Sequence, residues 1–385
     1  MDGLYFDNSA TTKVKDEVLN EMLPYFSKEY GNASSAYGIG RNNKKAIEKA
    51  RKKVAELIGA NSKEIYFTSS GSESDNTALK GYAYANKEKG RHIITTKIEH
   101  PAILESCKSL EKQGFRVTYL NVDKEGIIDL QELRKEINCQ TILISVMFAN
   151  NEIGTIEPIV EISKIARANN IAFHTDSVQA VGNIPIDVKN IGIDMLSISA
   201  HKFHGPKGIG ALYVRDGINF ERYIDGGHQE RNKRAGTENV PAIVGMGKAA
   251  ELAKDNLEEH KNYLESIRDY YIEQITKEIL DCKLNGSRND RLPGNANFSF
   301  KGVDGNAILY DLDLKGIYVS TGSACSSGEV NPSYVLTSIG LNEEWANGAI
   351  RTTFGDDNTR EDVDVLISAI KESVEKFRNE KIKIK

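Results

Sequence analysis

The sequence predicts an α/β fold: a large unit with a mostly parallel sheet flanked by helices, followed by a smaller α+β unit. Three observations carry this expectation. Short apolar runs alternate with helical patterns from about residue 43 to about residue 214, as in a parallel sheet covered on both faces. Near residue 250 that alternation gives way to a long charged helix and a second group of strands. The length, 385 residues, exceeds what one simple core holds. The expected division places residues 15–255 in the large unit and residues 1–14 with 256–385 in the smaller one.

The elements follow in chain order. "NKKAIEKARKKVAELIG" sets Ile47, Ala50, Val54, Leu57 and Ile58 on one helical face and stops at Gly59. "EIYFTSS" reads as a strand, and "SESDNTALKGYAYANK" as a helix with acidic residues in its first turn. "RHIITTK" is a strand, after which His100-Pro101 opens a helix with proline in its first turn. "FRVTYLNV", "TILISVMF", "IAFHTD" and "DMLSISA" are further strands, with helical segments between most of them. "SISAHKFHGPKGIGALYV" (197–214) is strand, polar turn, strand. The smaller unit begins with the helix "NLEEHKNYLESIRDYYIEQITKEI" and continues with strands "NANFSF" and "GIYVS". A helix "PSYVLTSIG", a strand "AIRTTFG" and a last helix from about 360 to 378 complete it. In that last helix Val363, Leu366, Ile370, Val374 and Phe377 form one stripe behind Thr359 as N-cap.

Composition narrows the function. A net charge of -5 with no basic block argues against direct nucleic-acid binding. No stretch reaches the about 18 apolar residues that span a bilayer, and "MDGLYFDNSATTK" carries no secretion signal. A cytoplasmic protein with no membrane partner is expected. Four cysteines, widely spaced and without a C-x-x-C pair, support neither a disulfide framework nor a metal site. Cys107, Cys139 and Cys282 read as buried apolar residues; Cys325, among small polar neighbours, reads as an accessible thiol.

Three constellations could carry chemistry. In "FTSSGSESDN" the strand runs into Ser69-Ser70-Gly71-Ser72 and a helix start, a seat for phosphate or an ordinary Ser-rich cap. In "AFHTDSVQA" Asp176 lies past a strand's carboxyl end, half-buried and able to pair with a protonated ring nitrogen, or a helix cap. Lys202 lies between two strands, a solvated turn lysine or a desolvated amine that condenses with a carbonyl. In that order, a phosphate seat, a carboxylate and a lysine are the needs of pyridoxal 5'-phosphate.

Nine stretches sharpen this: "GNASSAYGIGR", "FTSSGSESDN", "EHPAILE", "NNEIGTI", "HTDSVQAVG", "SAHKFHGPKGIGALYV", "RAGTEN", "STGSACSSG" and "AIRTTFG". Together with "YFDNSATT" they resemble the cysteine desulfurases of the nitrogen-fixation and iron–sulfur-assembly type, in the class V aminotransferase family. The resemblance covers essentially the whole chain and implies the fold-type I architecture with pyridoxal 5'-phosphate as cofactor. It implies that Lys202 is the Schiff-base lysine, Asp176 the partner of the pyridine nitrogen and Gln179 that of the phenolic oxygen. His100 matches the histidine stacked on the ring and a candidate acid–base group; Gly71, Ser72, Ser199 and His201 match the phosphate ligands. Thr237 matches a phosphate ligand given by a second subunit, which implies a homodimer. Asn151 and Arg351 match groups holding the substrate carboxylate, and Cys325 the nucleophile that takes sulfur from L-cysteine as a persulfide.

The chain departs from the family pattern at Ala33 and Tyr37, where proline and histidine are usual. The stretch "NEKIKIK" shows no scaffold-binding extension, so a dedicated sulfur acceptor, such as a tRNA-thiolation partner, is expected as readily as an iron–sulfur scaffold. Two rivals stand beside this reading. A selenocysteine or cystine lyase on the same fold would not need Cys325. A non-catalytic docking protein for a sulfur carrier would not need the set Lys202, Asp176, His100, Arg351 and Cys325.

Overall fold

The computed structural model describes residues 3–321 and 332–383. Cys325 lies outside them. The described residues form strands β1 (Leu4–Tyr5), β2 (Ile65–Thr68), β3 (His92–Thr96), β4 (Arg116–Leu120), β5 (Thr141–Ser145), β6 (Ala172–Asp176), β7 (Met195–Ser199) and β8 (Gly210–Val214). Further along come β9 (Cys282–Leu284), β10 (Asn295–Phe300), β11 (Ile317–Tyr318) and β12 (Ala349–Thr353).

Seven strands make one sheet in the order β2-β8-β7-β6-β5-β3-β4. Every neighbouring pair is parallel except those made by β8, which runs antiparallel to both β2 and β7. Alternation along each strand divides the apolar side chains between two faces. Ile93, Leu143, Ala172 and Met195 face the helical run 71–86 and the helix Pro101–Glu111. Ile94, Ile144, Phe173 and Leu196 face the opposite layer, where Gly38–Leu57 packs with Val240–Asp255. This is the mostly parallel, doubly covered sheet that the sequence predicts.

A second, antiparallel sheet has the order β12-β10-β9. Helices Leu257–Glu278, Gly305–Leu314 and Arg360–Lys383 contribute to its core. The expected stripe is there: Val363, Leu366, Ile370 and Val374 are fully buried, with Phe377 packed beside them. Thr359 caps the helix, its hydroxyl accepting from the Asp362 N–H while the Asp362 carboxylate accepts from the Thr359 N–H. Phe6 crosses into this core and meets Phe354 edge-to-face at 5.9 Å.

Three features differ from the sequence reading. The strand expected over 316–320 is ordered as a ladder only at Ile317–Tyr318, which pairs in parallel with Leu4–Tyr5. Cys139 is exposed rather than buried, because it sits in the turn between Leu130–Glu136 and β5; Cys107 is buried and Cys282 partly so. The strand Cys282–Leu284 was not among the expected strands, because three residues are too few for an alternating pattern to show. No helix among the described residues is long and apolar enough to cross a membrane.

Candidate active site

The parallel strands β3, β5, β6 and β7 point their carboxyl ends the same way, and β2 joins them because β8 reverses twice. Ligands of open α/β sheets gather outside such ends. Here that edge carries Gly71 after β2, His100 after β3, Asp176 at the end of β6, and Ser199 to Lys202 after β7.

Lys202 closes the short turn Ala200–Lys202. Its amine donates to the Ala10 carbonyl at 2.9 Å and to the Ser9 carbonyl. Gln179 donates from Nε2 to the same Ser9 carbonyl at 2.9 Å, so one oxygen joins the lysine to the glutamine. Burial lowers the basicity of Lys202, and the Arg351 charge lowers it further; Asp7 and Asp176 oppose them, and the amine settles at about 8. Neighbouring His201, with Nδ1 3.2 Å from the Thr11 hydroxyl, is driven down to about 4 by burial and by Lys202.

Asp176 is buried, not half-buried as its position in the sequence suggests. Its Oδ1 accepts from the Val178 N–H at 2.9 Å. Burial raises its pKa, and His100 pulls the other way. His100 caps Pro101–Glu111, its Nδ1 accepting from the Ala102 N–H at 3.1 Å, and it stands beside Asp176. One ligating atom each from Asp75, His100 and Asp176 lies within 4.8 Å of the others. Glu99 is fully buried, its Oε1 accepting from the Thr96 hydroxyl and the Met147 N–H.

At the end of β2, Ser70 caps the next helix through its hydroxyl and the Glu73 N–H at 3.2 Å. Gly71 follows, packed so closely that a Cβ would lie 2.6 Å from Cγ2 of Val178 and 3.6 Å from Cβ of Ser199. The loops after β2, β6 and β7 thus meet at Gly71, with buried Ser199 and exposed Ser72 beside it. Arg234 grips Glu73 at 2.9 Å and ties the loop of Thr237 to this helix. Thr237 itself is exposed and does not line the cavity next to Lys202.

Arg351, on β12, is 5% exposed. It donates to the Asn151 carbonyl at 3.2 Å and to Asp7 Oδ1 at 2.7 Å, while its Nε has no partner among the described residues. The structure thus brings Lys202, Asp176, Gln179, His100, Gly71, Ser199, His201, Asn151 and Arg351 to one edge. Sequence reasoning missed Asp7 and the Ser9 and Ala10 carbonyls, which lie more than 190 positions from Lys202. It also missed Asp75 and His174. The spacing 71, 75, 78, 79, 82 would have placed Asp75 on the sheet-facing side of its helix.

The aminotransferase class-V family model matches residues 4–366. The chain is similar to a protein named cysteine desulfurase IscS of Clostridium botulinum, 53% identical over 97% of this chain and 95% of the relative. It is similar to another so named from Methanosarcina thermophila, 54% identical over 98% and 93%. Among solved structures it resembles one titled NifS-like protein, at 40% identity and a TM-score of 0.91, covering 96% of this chain and 98% of the other.

Proposed function

We propose that this chain, which belongs to the aminotransferase class-V family, is a cysteine desulfurase that uses pyridoxal 5'-phosphate and stores sulfur on Cys325. The observation that carries the reading is the half-buried Lys202 amine, within electrostatic reach of Asp176 and Arg351, at the carboxyl edge of the sheet.

The residues fit the cofactor on three counts. Asp176 is a buried carboxylate whose charge burial disfavours, so a ring N–H cation there would stabilise it. Lys202 is a weakened base, neutral often enough to condense with an aldehyde. Gly71 keeps side-chain atoms away from where three loops converge, leaving backbone N–H groups of a helix start for phosphate. Ser72, Ser199 and His201 would add donors there, and Thr237 of a second copy would complete the seat in a homodimer. Gln179 would meet the phenolic oxygen, and His100 would lie against the ring.

When bound, the cofactor supplies an electron sink for the charge that develops at the substrate Cα. The chain's own residues do the rest. Arg351 holds the carboxylate of L-cysteine by two parallel N–H donors, which requires Asp7 to give up its bond. Asn151 stands beside that seat. Lys202, once free as an amine, takes the Cα proton. Cys325 as thiolate attacks the substrate sulfur; the carbon–sulfur bond breaks and a sulfur–sulfur bond forms. Net, one thiol and one L-cysteine become one persulfide and one L-alanine. The persulfide sulfur then passes to an acceptor protein, in iron–sulfur cluster assembly or in thio-cofactor or tRNA synthesis in the cytoplasm. Residues 15–255 would hold the cofactor, and 1–14 with 256–385 would carry the cysteine segment.

A single turnover tests this. Reconstituted protein is mixed with L-cysteine without reductant, alanine is quantified, and the Cys325 peptide is weighed. Alanine with one added sulfur on that peptide is expected. Alanine without it would favour a lyase, and a protein that takes up no cofactor would revert to the docking role.

A further inference from the structure

Beneath Asp176 lies a second acid. Asp75 is 1% exposed, and its Oδ1 has no hydrogen-bond partner among the described residues. It sits on the helix after Gly71, aimed at the carboxyl end of β6. Among the described residues its surroundings offer no cation. His174 Nε2 is 3.8 Å away. That ring is fully buried, bracketed by the Ser145 hydroxyl at 2.9 Å and the Ser197 hydroxyl at 3.0 Å, and burial drives it down to about 3, so it is neutral. The remaining groups that face Asp75 are the Ser197 hydroxyl and the Asp176 and Glu99 carboxyls, with His100 at the cluster's rim.

Two carboxylates in one dry site do not both ionise. Which keeps the proton follows from the partners. Asp176 accepts a backbone N–H and faces the seat of a cationic ring; Asp75 has neither. We infer that Asp75 is a positioning residue that keeps its proton and donates it to Asp176, so that Asp176 alone carries the negative charge facing the cofactor ring. Burial and the Asp176 charge, with Glu99 adding to them, push the Asp75 carboxyl well up against the lowering effect of the Ser197 hydroxyl, in the same direction.

The inference rests on the reading of Asp176 as partner of the ring nitrogen. It is tested on full-length protein carrying aspartate labelled with carbon-13 at its carboxyl, by infrared spectroscopy with and without pyridoxal phosphate. A protonated aspartic acid band at neutral pH is expected in the parent and absent from Asp75→Asn. No such band, or its survival in Asp75→Asn, overturns the inference. The label excludes buried glutamates. Asp75→Asn retains an N–H donor and should hold pyridoxal phosphate within about twofold of the parent, whereas Asp75→Leu should weaken it on the order of tenfold, as loss of a hydrogen bond to a charged group does. Equal affinity in the two variants also overturns it. If Asp75→Leu does not fold, the infrared comparison decides alone. Parent protein that makes alanine yet lacks the band refutes only this inference; parent protein that takes up no pyridoxal phosphate refutes the function, and the band still reports on the acid pair.

Discussion

The basicity of Lys202 gives a measurable consequence. A lysine at its ordinary value of 10.5 is neutral at pH 7 in about one molecule in 3,000; at about 8 it is neutral in about one in 10. The difference, 10.5 against about 8, is roughly 300-fold in reactive amine. Burial is the largest cause and the Arg351 charge the next, while Asp7 and Asp176 act the other way. The rate of imine formation by the cofactor-free protein with a simple unphosphorylated aldehyde, followed against pH by absorbance, should therefore level off above about 8. Arg351→Gln should move that midpoint up, and Asp7→Asn should move it down. Because the native amine is the weaker base, the unfolded chain binds more protons between about 8 and 10.5, and this group makes stability rise with pH across that window. A rate that climbs without a break to pH 10, or two variants that shift it the same way, would refute the reasoning.

Arg51 and Glu230 form a buried pair with two hydrogen bonds, 2.6 and 2.8 Å, and Glu230 also accepts from the Phe67 N–H. Glu230→Ala would strand the arginine and should cost about 3–5 kcal/mol in urea unfolding; a loss under 1 kcal/mol would count against that role. Gly71→Ala forces a Cβ to 2.6 Å from Val178 and should cost about 1–3 kcal/mol, with pyridoxal phosphate released more readily in equilibrium dialysis. Glu157 is raised by burial to about 8, so it favours the native state at low pH and loses that contribution as pH rises through about 8. Glu157→Gln should flatten the fall in melting temperature between pH 5 and 9; an unchanged slope would mean that another group titrates. Arg351→Gln should raise KM for L-cysteine about 10- to 100-fold through the lost carboxylate bond, read in steady-state alanine formation.

Periodicity and strand ends were the legible part of this chain. The stripe Val363, Leu366, Ile370, Val374 is a local pattern, and it is buried as expected. Lys202 and Asp176 stand at strand ends whose short apolar runs mark them, so the sheet edge that carries them could be drawn from the sequence. What could not be drawn depends on distant registers. The Ser9 carbonyl meets Lys202 across 193 positions, and Asp7 meets Arg351 across 344. Backbone oxygens carry no signature in sequence. His174 sits inside a run that reads as a plain apolar strand, and only the third dimension puts it over Asp75. Cys139 shows the converse: its residue type suggested burial, and its place in a turn exposed it.

Residues 4–12 lace the two sheets together. Leu4–Tyr5 pairs with Ile317–Tyr318, Asn8 hydrogen-bonds Thr353, Asp7 holds Arg351, and Thr12 donates to the His201 carbonyl. Synthesis makes one side of that lacing well before the other. While the ribosome is still short of residue 353, the large sheet has all its strands, yet the carbonyls that hold Lys202 have no β12 to anchor them. Domains fold as units from the first-made end, and contacts across hundreds of residues come last. The edge that holds Lys202 is thus finished only once residue 353 has been made, and between residues 202 and 353 the nascent chain carries Lys202 while the Ser9 and Ala10 carbonyls still lack their anchor on β12.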